Sequence, residues 1–406
     1  MEETSSIPLS PESIKSILTL RYNLETNPIL PKLTPEDFSS EINEVSSEFI
    51  KKSIVNTLKN SIPNNCKSVS IALSGGIDST LNLALLRETF PDIHISAISM
   101  KFANSVDETP QASKIAKHFN AEHKVINLKN FLSELPKAIS ITKQPFWDLH
   151  WYHIVKQAKT NGNYLVSGDG GDELFGGYTF RYQKFLSLTN SNSTSIERVK
   201  SYLHCHERDW IQEQEDLFGE RIEFNWEQIH QKILPFFDNS LSLIQQVFLA
   251  DYNGKLLYNF SPINSALHDG FSMTSITPLL SKEIISYASQ LLPELKYDEK
   301  KNIGKIPLRN LLENYIDYSM LTQTKQGFSV NTHNLWKTYG YKLCEKYLND
   351  ARIVKDRWIN PSWIENNLKA DLDIKYINKF LGLLAFEIWF RLFVTSEINE
   401  NDVLEV

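Results

Sequence analysis

Val69-Ser70-Ile71-Ala72-Leu73-Ser74-Gly75-Gly76-Ile77-Asp78-Ser79 is an apolar run that breaks at a Gly-Gly turn and continues into Thr80, Leu81, Leu83, Ala84, Leu85 and Leu86. The first five residues, short and β-branched, predict a buried strand, and the residues from Thr80 onward carry helical apolar spacing. A Gly-Gly turn feeding a helix N-terminus lets main-chain N–H groups approach an anion closely, and the helix dipole adds positive potential. Ser74 and Ser79 add hydroxyl donors, and Asp78 can hold the magnesium that neutralises phosphate charge. The stretch reads as a pyrophosphate cradle. It lacks the longer Gly-x-x-x-x-Gly-Lys turn whose lysine serves the terminal phosphates, so cleavage is expected between the α- and β-phosphates.

A second loop follows another apolar strand, Tyr164-Leu165-Val166. It runs Ser167-Gly168-Asp169-Gly170-Gly171-Asp172-Glu173-Leu174-Phe175-Gly176-Gly177-Tyr178. Its glycines are expected to leave room for a nucleotide, and its three carboxylates bring anionic metal ligands to the strand's carboxyl end.

The chain has 406 residues, enough for two domains or one large domain with an appendage. At 41% hydrophobic and 22% charged it has the composition of a soluble globular protein. A net charge of −7 argues against broad nucleic-acid binding, which needs a basic face, and so against an RNA-modifying enzyme. Cys66, Cys205 and Cys344 are too scattered for a zinc site or a disulfide framework and are expected to be reduced thiols of a cytoplasmic protein. Met1 to Ser6 shows no basic region followed by an apolar core, so no secretion signal is expected. The longest apolar run, Phe380 to Val394, is interrupted by Glu387 and Arg391. It falls short of the ~20 residues a membrane span needs, and so predicts a core helix and no membrane association.

Residues 1–45 read as an N-terminal extension with one helix near Ser10 to Leu20, and a second helix is expected from Ser46 to Leu58. From 46 to 190, strands at Val69–Leu73, Ile93–Ile98, Val125–Leu128 and Tyr164–Ser167 alternate with helical stretches. Such alternation predicts a Rossmann-like α/β domain, a parallel sheet with helices on both faces and the ligand beyond the strands' carboxyl ends. After a polar link at Ser187–Thr194, residues 191–406 read as mostly helical with no clear strand, a region expected to pack on the sheet and close the acceptor site.

Together the two loops resemble the synthetase domain of the class B asparagine synthetases, a branch of the ATP pyrophosphatases that includes β-lactam synthetases and lasso-peptide cyclases. The resemblance extends from about residue 45 to 395. It implies ATP and Mg2+ as cofactors and an amide-forming ligase that adenylates a carboxylate, aspartate first among candidates. The alternatives are a lactam- or peptide-ring-forming or other amide synthetase of the branch, or an RNA-modifying ATP pyrophosphatase, which the acidic charge balance disfavours. Leu73, Ser74, Gly75, Gly76, Asp78, Ser79, Met100, Ser167 and Gly168 match the family's ATP and pyrophosphate contacts. Asp78 and Asp172 match its magnesium carboxylates, and Asp169 faces its reacting centre. Gly304-Lys305-Ile306-Pro307-Leu308-Arg309 resembles its Lys-x-x-Leu-Arg segment, which assigns Lys305 to the charge that develops as the acyl-adenylate forms and collapses. Thr324-Lys325-Gln326-Gly327-Phe328 resembles a further motif, with Lys325 on pyrophosphate. Asp107-Glu108 is expected to cap a helix with Pro110 in its first turn, His118 and His123 to be surface or strand-edge residues, and Glu387-Ile388-Trp389 to pack.

Two departures stand out. Full-length members begin with a glutaminase whose cysteine directly follows the initiator methionine, whereas Glu2 stands here and the first strand begins near residue 69. The nitrogen is therefore expected from free ammonia, from a separate glutaminase acting in trans, or from another amine. Where members carry Glu-x-Arg-x-Pro-Phe-Leu-Asp, this chain has Thr274-Ser275-Ile276-Thr277-Pro278-Leu279-Leu280-Ser281. The loss of three charged groups is expected to re-specify the acceptor, because unpaired buried polar groups discriminate strongly.

Overall fold

The computed structural model describes residues 9–38, 41–102, 107–321 and 331–406. Five strands form one parallel sheet in the order β3-β2-β1-β4-β5: β1 (Ser68–Ala72), β2 (His94–Phe102), β3 (Glu122–Leu128), β4 (Tyr164–Val166) and β5 (Thr274–Ile276). The expected α/β class is what the chain adopts. The order runs outward from β1 in both directions, so its carboxyl end lies at the point where the winding reverses, the usual ligand crevice of such sheets.

Alternation along the strands assigns the two faces. Val69 and Ile71 of β1, Ile95 and Ala97 of β2 and Val166 of β4 join one buried apolar cluster. That cluster is filled by α2 (Ser47–Ser61), α3 (Ile77–Thr89) and α4 (Thr109–His118). Ala72, Ile98 and Leu165 point the other way, into a cluster built by α5 (Leu135–Thr142), α6 (His150–Lys159) and the 20-residue helix Ile374–Phe393. Residues before 45 contribute to both clusters: Leu20, Tyr22, Leu33 and Phe38 to the first, Ile14 and Leu18 of α1 (Pro11–Leu20) to the second. Ser10 caps α1, its hydroxyl accepting from the Ser13 N–H at 3.0 Å, with Pro11 in the first turn.

The sheet corrects one expectation. Residues 191–406 do contain strand: β5 pairs with β4, Tyr164 opposite Thr274 and Val166 opposite Ile276. Three residues, of which only Ile276 is buried, are too few for a period-two pattern to register. The same segment was expected to shape the acceptor site. Instead Ile276 packs in the core, Ser281 caps the helix Lys282–Gln290, and none of Thr274 to Ser281 lines the cavity described below. Its reach to the site is indirect, through Leu280, which fills the space a side chain on Gly170 would need.

The predicted core helix is borne out in Ile374–Phe393, and among the described residues no helix is long and apolar enough to cross a membrane. Glu387 within it is fully buried and accepts from the main-chain N–H groups of Arg352 and Ile353 at 2.9 and 3.1 Å and from Arg391 Nε at 2.6 Å. It is thus a packing residue that also caps a neighbouring helix.

Lys296 is 1% exposed, donates to the Ala288 carbonyl at 2.9 Å and lies 4.4 Å from the Phe248 ring; burial pushes its ammonium down to about 7. The unfolded chain, with an ordinary lysine near 10.4, binds more protons than the native state from about pH 7 to 10, so this group makes stability rise with pH across that window. Lys296→Met is expected to raise the denaturation midpoint at pH 7 and to flatten that slope. Urea unfolding at pH 7 and pH 9 measures both, and a destabilised variant with an unchanged slope refutes the assignment.

Candidate active site

The cradle closes on itself through its serines. Gly75 adopts φ +78°, Gly76 begins α3, and the Gly76 N–H donates to Ser74 Oγ at 3.3 Å. The hydroxyls of Ser74 and Ser79 lie 3.2 Å apart, and Ser79 Oγ donates to the Gly76 carbonyl at 3.2 Å. Asn82, one turn into α3, joins the two loops, its amide donating to the carbonyls of Asp78 and Ser167 at 3.1 and 3.2 Å. No motif marks it, because a lone asparagine in an apolar helix carries no pattern.

The second loop coils into the short helix Gly171–Phe175, entered through Gly170 at φ +89° and left through Gly176 at φ +70°. Its three carboxylates part company. Asp172 turns to Lys305, at 2.9 Å. Asp169 accepts from Asn264 at 3.2 Å, and burial pushes its carboxyl up. Glu173 turns inward, where burial raises it to about 7 and Tyr178 donates to it at 2.6 Å. The glycines do not chiefly make room for a nucleotide, as expected from composition. A Cβ on Gly171 would stand 2.4 Å from Asp78 Cγ, one on Gly168 2.8 Å from Asp78 Cβ, and one on Gly177 1.8 Å from Asp172 Oδ1. They let the two loops and Lys305 close on one another.

Lys305 completes the group. It is 5% exposed, sits at φ 57° ahead of the helix Ile306–Leu312, and is anchored by its N–H to the Phe175 carbonyl at 2.9 Å. Its ammonium bonds both Asp78 and Asp172, so two carboxylates 94 positions apart in the chain converge on one cation. Asp78 Oδ1 is buried and has no hydrogen-bond partner among the described residues.

These groups open into a cavity of about 900 Å³. Ser74, Gly76, Asp78, Ser79, Ser167, Gly168, Asp169, Asp172 and Lys305 all line it. Leu73 is fully buried and Met100 packs part-buried against the second apolar cluster, so neither side chain lines it. Lys325 lies outside the described residues. Asp107, rather than the acidic pair as a unit, caps α4, accepting from the Thr109 N–H at 3.1 Å, while Glu108 lines the cavity. His118 is exposed, and His123 lies on edge strand β3 within 2.9 Å of Ser99 Oγ.

The cavity is also lined by residues that carry no sequence motif. His150, at the start of α6, holds Asp148 at 2.7 Å. Burial pushes its imidazole down, but Asp148 and Asp169 together lift it above its ordinary value. Beyond it stand Arg21, Trp147, Asp209, Lys255 and Lys379. Arg21 comes from the segment read as an extension, and no local motif marks a lone Leu-Arg-Tyr as cavity lining.

Residues 57–391 match the asparagine synthase family. Curated relatives include asparagine synthetase (glutamine-hydrolyzing) 1 of Bacillus subtilis strain 168, 24% identical over 78% of this chain and 55% of that protein. A putative asparagine synthetase (glutamine-hydrolyzing) of Mycobacterium tuberculosis H37Rv is 24% identical over 82% of this chain and 55% of its own length. The chain thus spans about half the length of the curated relatives it matches. Among solved structures, NMN synthetase from Francisella tularensis aligns with 51% of this chain and 94% of its own, at 17% identity and a TM-score of 0.27.

Proposed function

The chain belongs to the asparagine synthase family, and from that premise we propose that it is an ATP-dependent, AMP-forming carbon–nitrogen ligase. A carboxylate oxygen attacks the α-phosphorus of ATP, the bond to the bridging oxygen breaks, and pyrophosphate leaves into the Ser74–Ser79 cradle. Ammonia or an amine then attacks the acyl carbon, the C–O bond to AMP breaks, and an amide remains. Aspartate and ammonia are the first candidate pair, and the cytoplasm the proposed compartment. The segments 1–45, 46–190 and 191–406 serve here as extension, nucleotide side and acceptor side.

The observation that carries this reading is the convergence of Asp78, Asp172 and Lys305 at the floor of a cavity entered by both loops. Asp78 and Asp172 fit a magnesium ion: Asp78 Oδ1 has no hydrogen-bond partner among the described residues, and magnesium takes one or two carboxylates with phosphate oxygens and water completing its shell. Bound there, the ion supplies charge neutralisation on the phosphates. Lys305 offsets the charge of the two carboxylates and stands ready for charge developing on the α-phosphate. The Asp169 carboxylate is, with that of Asp148, one of the charges that lift His150 above its ordinary value. His150 is placed to take the proton that the attacking amine gives up. The cavity of about 900 Å³ has to take both the nucleotide and the acceptor.

Incubation with Mg-ATP, ammonium and a panel of carboxylates led by aspartate tests the reading. Stoichiometric AMP, pyrophosphate and amide are expected, and AMP with no amide for any carboxylate overturns it. His150→Asn is expected to keep carboxylate-dependent ATP–pyrophosphate exchange and to slow amide formation on the order of 100-fold. The base must be unprotonated, so wild-type kcat/KM rises with pH through a value above 6.5, and that limb disappears in the variant. Equal loss of exchange and amide formation rules His150 out as the base.

A further inference from the structure

Between Asp172 and Tyr178 the second loop doubles back, and one side-chain pair ties its two ends. The Tyr178 hydroxyl donates to Glu173 Oε1 at 2.6 Å, across the Gly176-Gly177 turn. Glu173 is 5% exposed, while Asp172, the residue before it, meets Lys305 at 2.9 Å. The turn presses on that ion pair. The Gly177 N–H donates to the Asp172 carbonyl at 2.8 Å, and a Cβ on Gly177 would stand 1.8 Å from Asp172 Oδ1 and 2.4 Å from Lys305 Cε. One on Gly304, the residue before Lys305, would stand 1.9 Å from the Gly176 carbonyl oxygen. Tyr178 is braced in turn. The Arg181 guanidinium lies 3.7 Å from its ring centre, bonds Asp251 Oδ1 at 3.2 Å and approaches His206 Nε2 at 3.0 Å. Asp251 ends the helix Leu243–Asp251, is 3% exposed and accepts from the Tyr202 hydroxyl at 2.9 Å.

A Gly-Gly pair has a freely varying backbone, so its own torsions do not fix where it lies. Here it joins two helices, Gly171–Phe175 and Thr179–Leu188, where the Asp172 carboxylate and the Lys305 stem need bare backbone alongside. The Glu173–Tyr178 bond ties the turn across its base, and a cation over the tyrosine ring face adds an attraction that holds the ring in place. We propose that Glu173 and Tyr178 are positioning residues: their bond, braced by Arg181 and Asp251, seats the Gly176-Gly177 turn against Asp172 and fixes that carboxylate for the metal. This rests on the reading of Asp172 as a magnesium ligand. The clasp also links the two halves of the chain, because Asp251 and Tyr202 belong to the helical region and Glu173 to the loop beyond β4. Groups that orient a metal ligand without touching the ion commonly govern 10–100-fold of metal affinity.

Mn2+ titrated into the full chain, followed by the electron paramagnetic resonance signal of the free ion, tests this. Tyr178→Phe keeps the ring under Arg181 and removes the donor, and it should bind Mn2+ about tenfold more weakly than the wild type. Glu173→Leu should match it. Glu173→Gln keeps an acceptor for Tyr178 and should stay within about threefold of the wild type. Because a single bond is at stake, the double variant Tyr178→Phe/Glu173→Leu should bind no more weakly than either single. A general loss of packing would not sort the variants in this way. Unchanged affinity in Tyr178→Phe, a Glu173→Gln variant as weak as Glu173→Leu, or losses that multiply in the double variant overturn the clasp. Metal-free thermal melts accompany each titration, and if Glu173→Leu does not fold, Tyr178→Phe and Glu173→Gln decide. Asp172→Asn is the control. If it binds Mn2+ as tightly as the wild type, or the wild type binds none, the magnesium reading of Asp172 is refuted and the clasp's role falls with it.

Discussion

Lys305→Ala is expected to destabilise the metal-free protein by about 3–5 kcal/mol, the range for removing one partner of a buried charge pair. It should also cut turnover by at least about 100-fold. The size of the effect follows from geometry. One ammonium, 5% exposed, bonds two carboxylates brought from separate loops, so its removal leaves two half-buried like charges facing each other. On function alone, this substitution would be expected to slow amide formation and leave ATP binding nearly intact. The structure adds a folding penalty to that expectation. Magnesium and ATP supply positive charge to the same carboxylates, so Mg-ATP should raise the melting temperature of the variant more than that of the wild type. Thermal melts with and without Mg-ATP, paired with AMP release, separate the two effects. A variant as stable as the wild type in the absence of metal would show that the ion pair is not a structural element.

Gly171→Ala is the second large effect. The new methyl would stand 2.4 Å from Asp78 Cγ and 2.5 Å from its Oδ1, distances that real Cβ atoms do not show, so the carboxylate or the helix Gly171–Phe175 must shift. A misplacement of that order at a reacting site costs on the order of 100-fold in rate. Gly382→Ala is the matched control. It lies inside the helix Ile374–Phe393, where its nearest new contact is Leu18 Cδ2 at 3.6 Å, an ordinary separation. There alanine should stabilise by about 0.5–1 kcal/mol through its helix propensity. Chemical denaturation and AMP release on both variants decide the matter; equal and mild effects would mean the second loop yields more readily than its close packing suggests.

Much of this protein was legible in its residues. The strand–Gly-Gly–helix stretch at Val69–Ser79 and the glycine-rich loop after Tyr164–Val166 both occupy the carboxyl ends of adjacent parallel strands, as their patterns predicted. The helix expected near Ser10 to Leu20 and the core helix expected at the Phe380 segment both form. These features are local: a positive-φ glycine, a cap or a run of apolar side chains works within one or two turns, so neighbouring residues suffice to reveal it. Two misplaced expectations have the opposite character. Thr274–Ser281 matched the family's acceptor segment by position, yet it forms an edge strand and a helix cap, and it touches the site only through Leu280 behind Gly170. The loop glycines matched by composition, but the atoms they admit belong to Asp78, Asp172 and Lys305.

Local patterns along the chain account for the parallel α/β sheet, the two loops at its carboxyl edge and the kind of chemistry their glycines, serines and carboxylates can support. Which charges meet is set by the long-range packing. It turned Glu173 inward to Tyr178 and set Lys305 between Asp78 and Asp172. It also carried Arg21 from the N-terminal segment across the cavity to Asp209 and placed His150 against Asp148 on the wall they share. Lys305 and Asp78 are 227 residues apart, and Arg21 and Asp209 188. A contact across such a distance leaves no periodicity in the chain, because it is fixed by how the helices pack on the sheet rather than by the backbone preferences of adjacent residues.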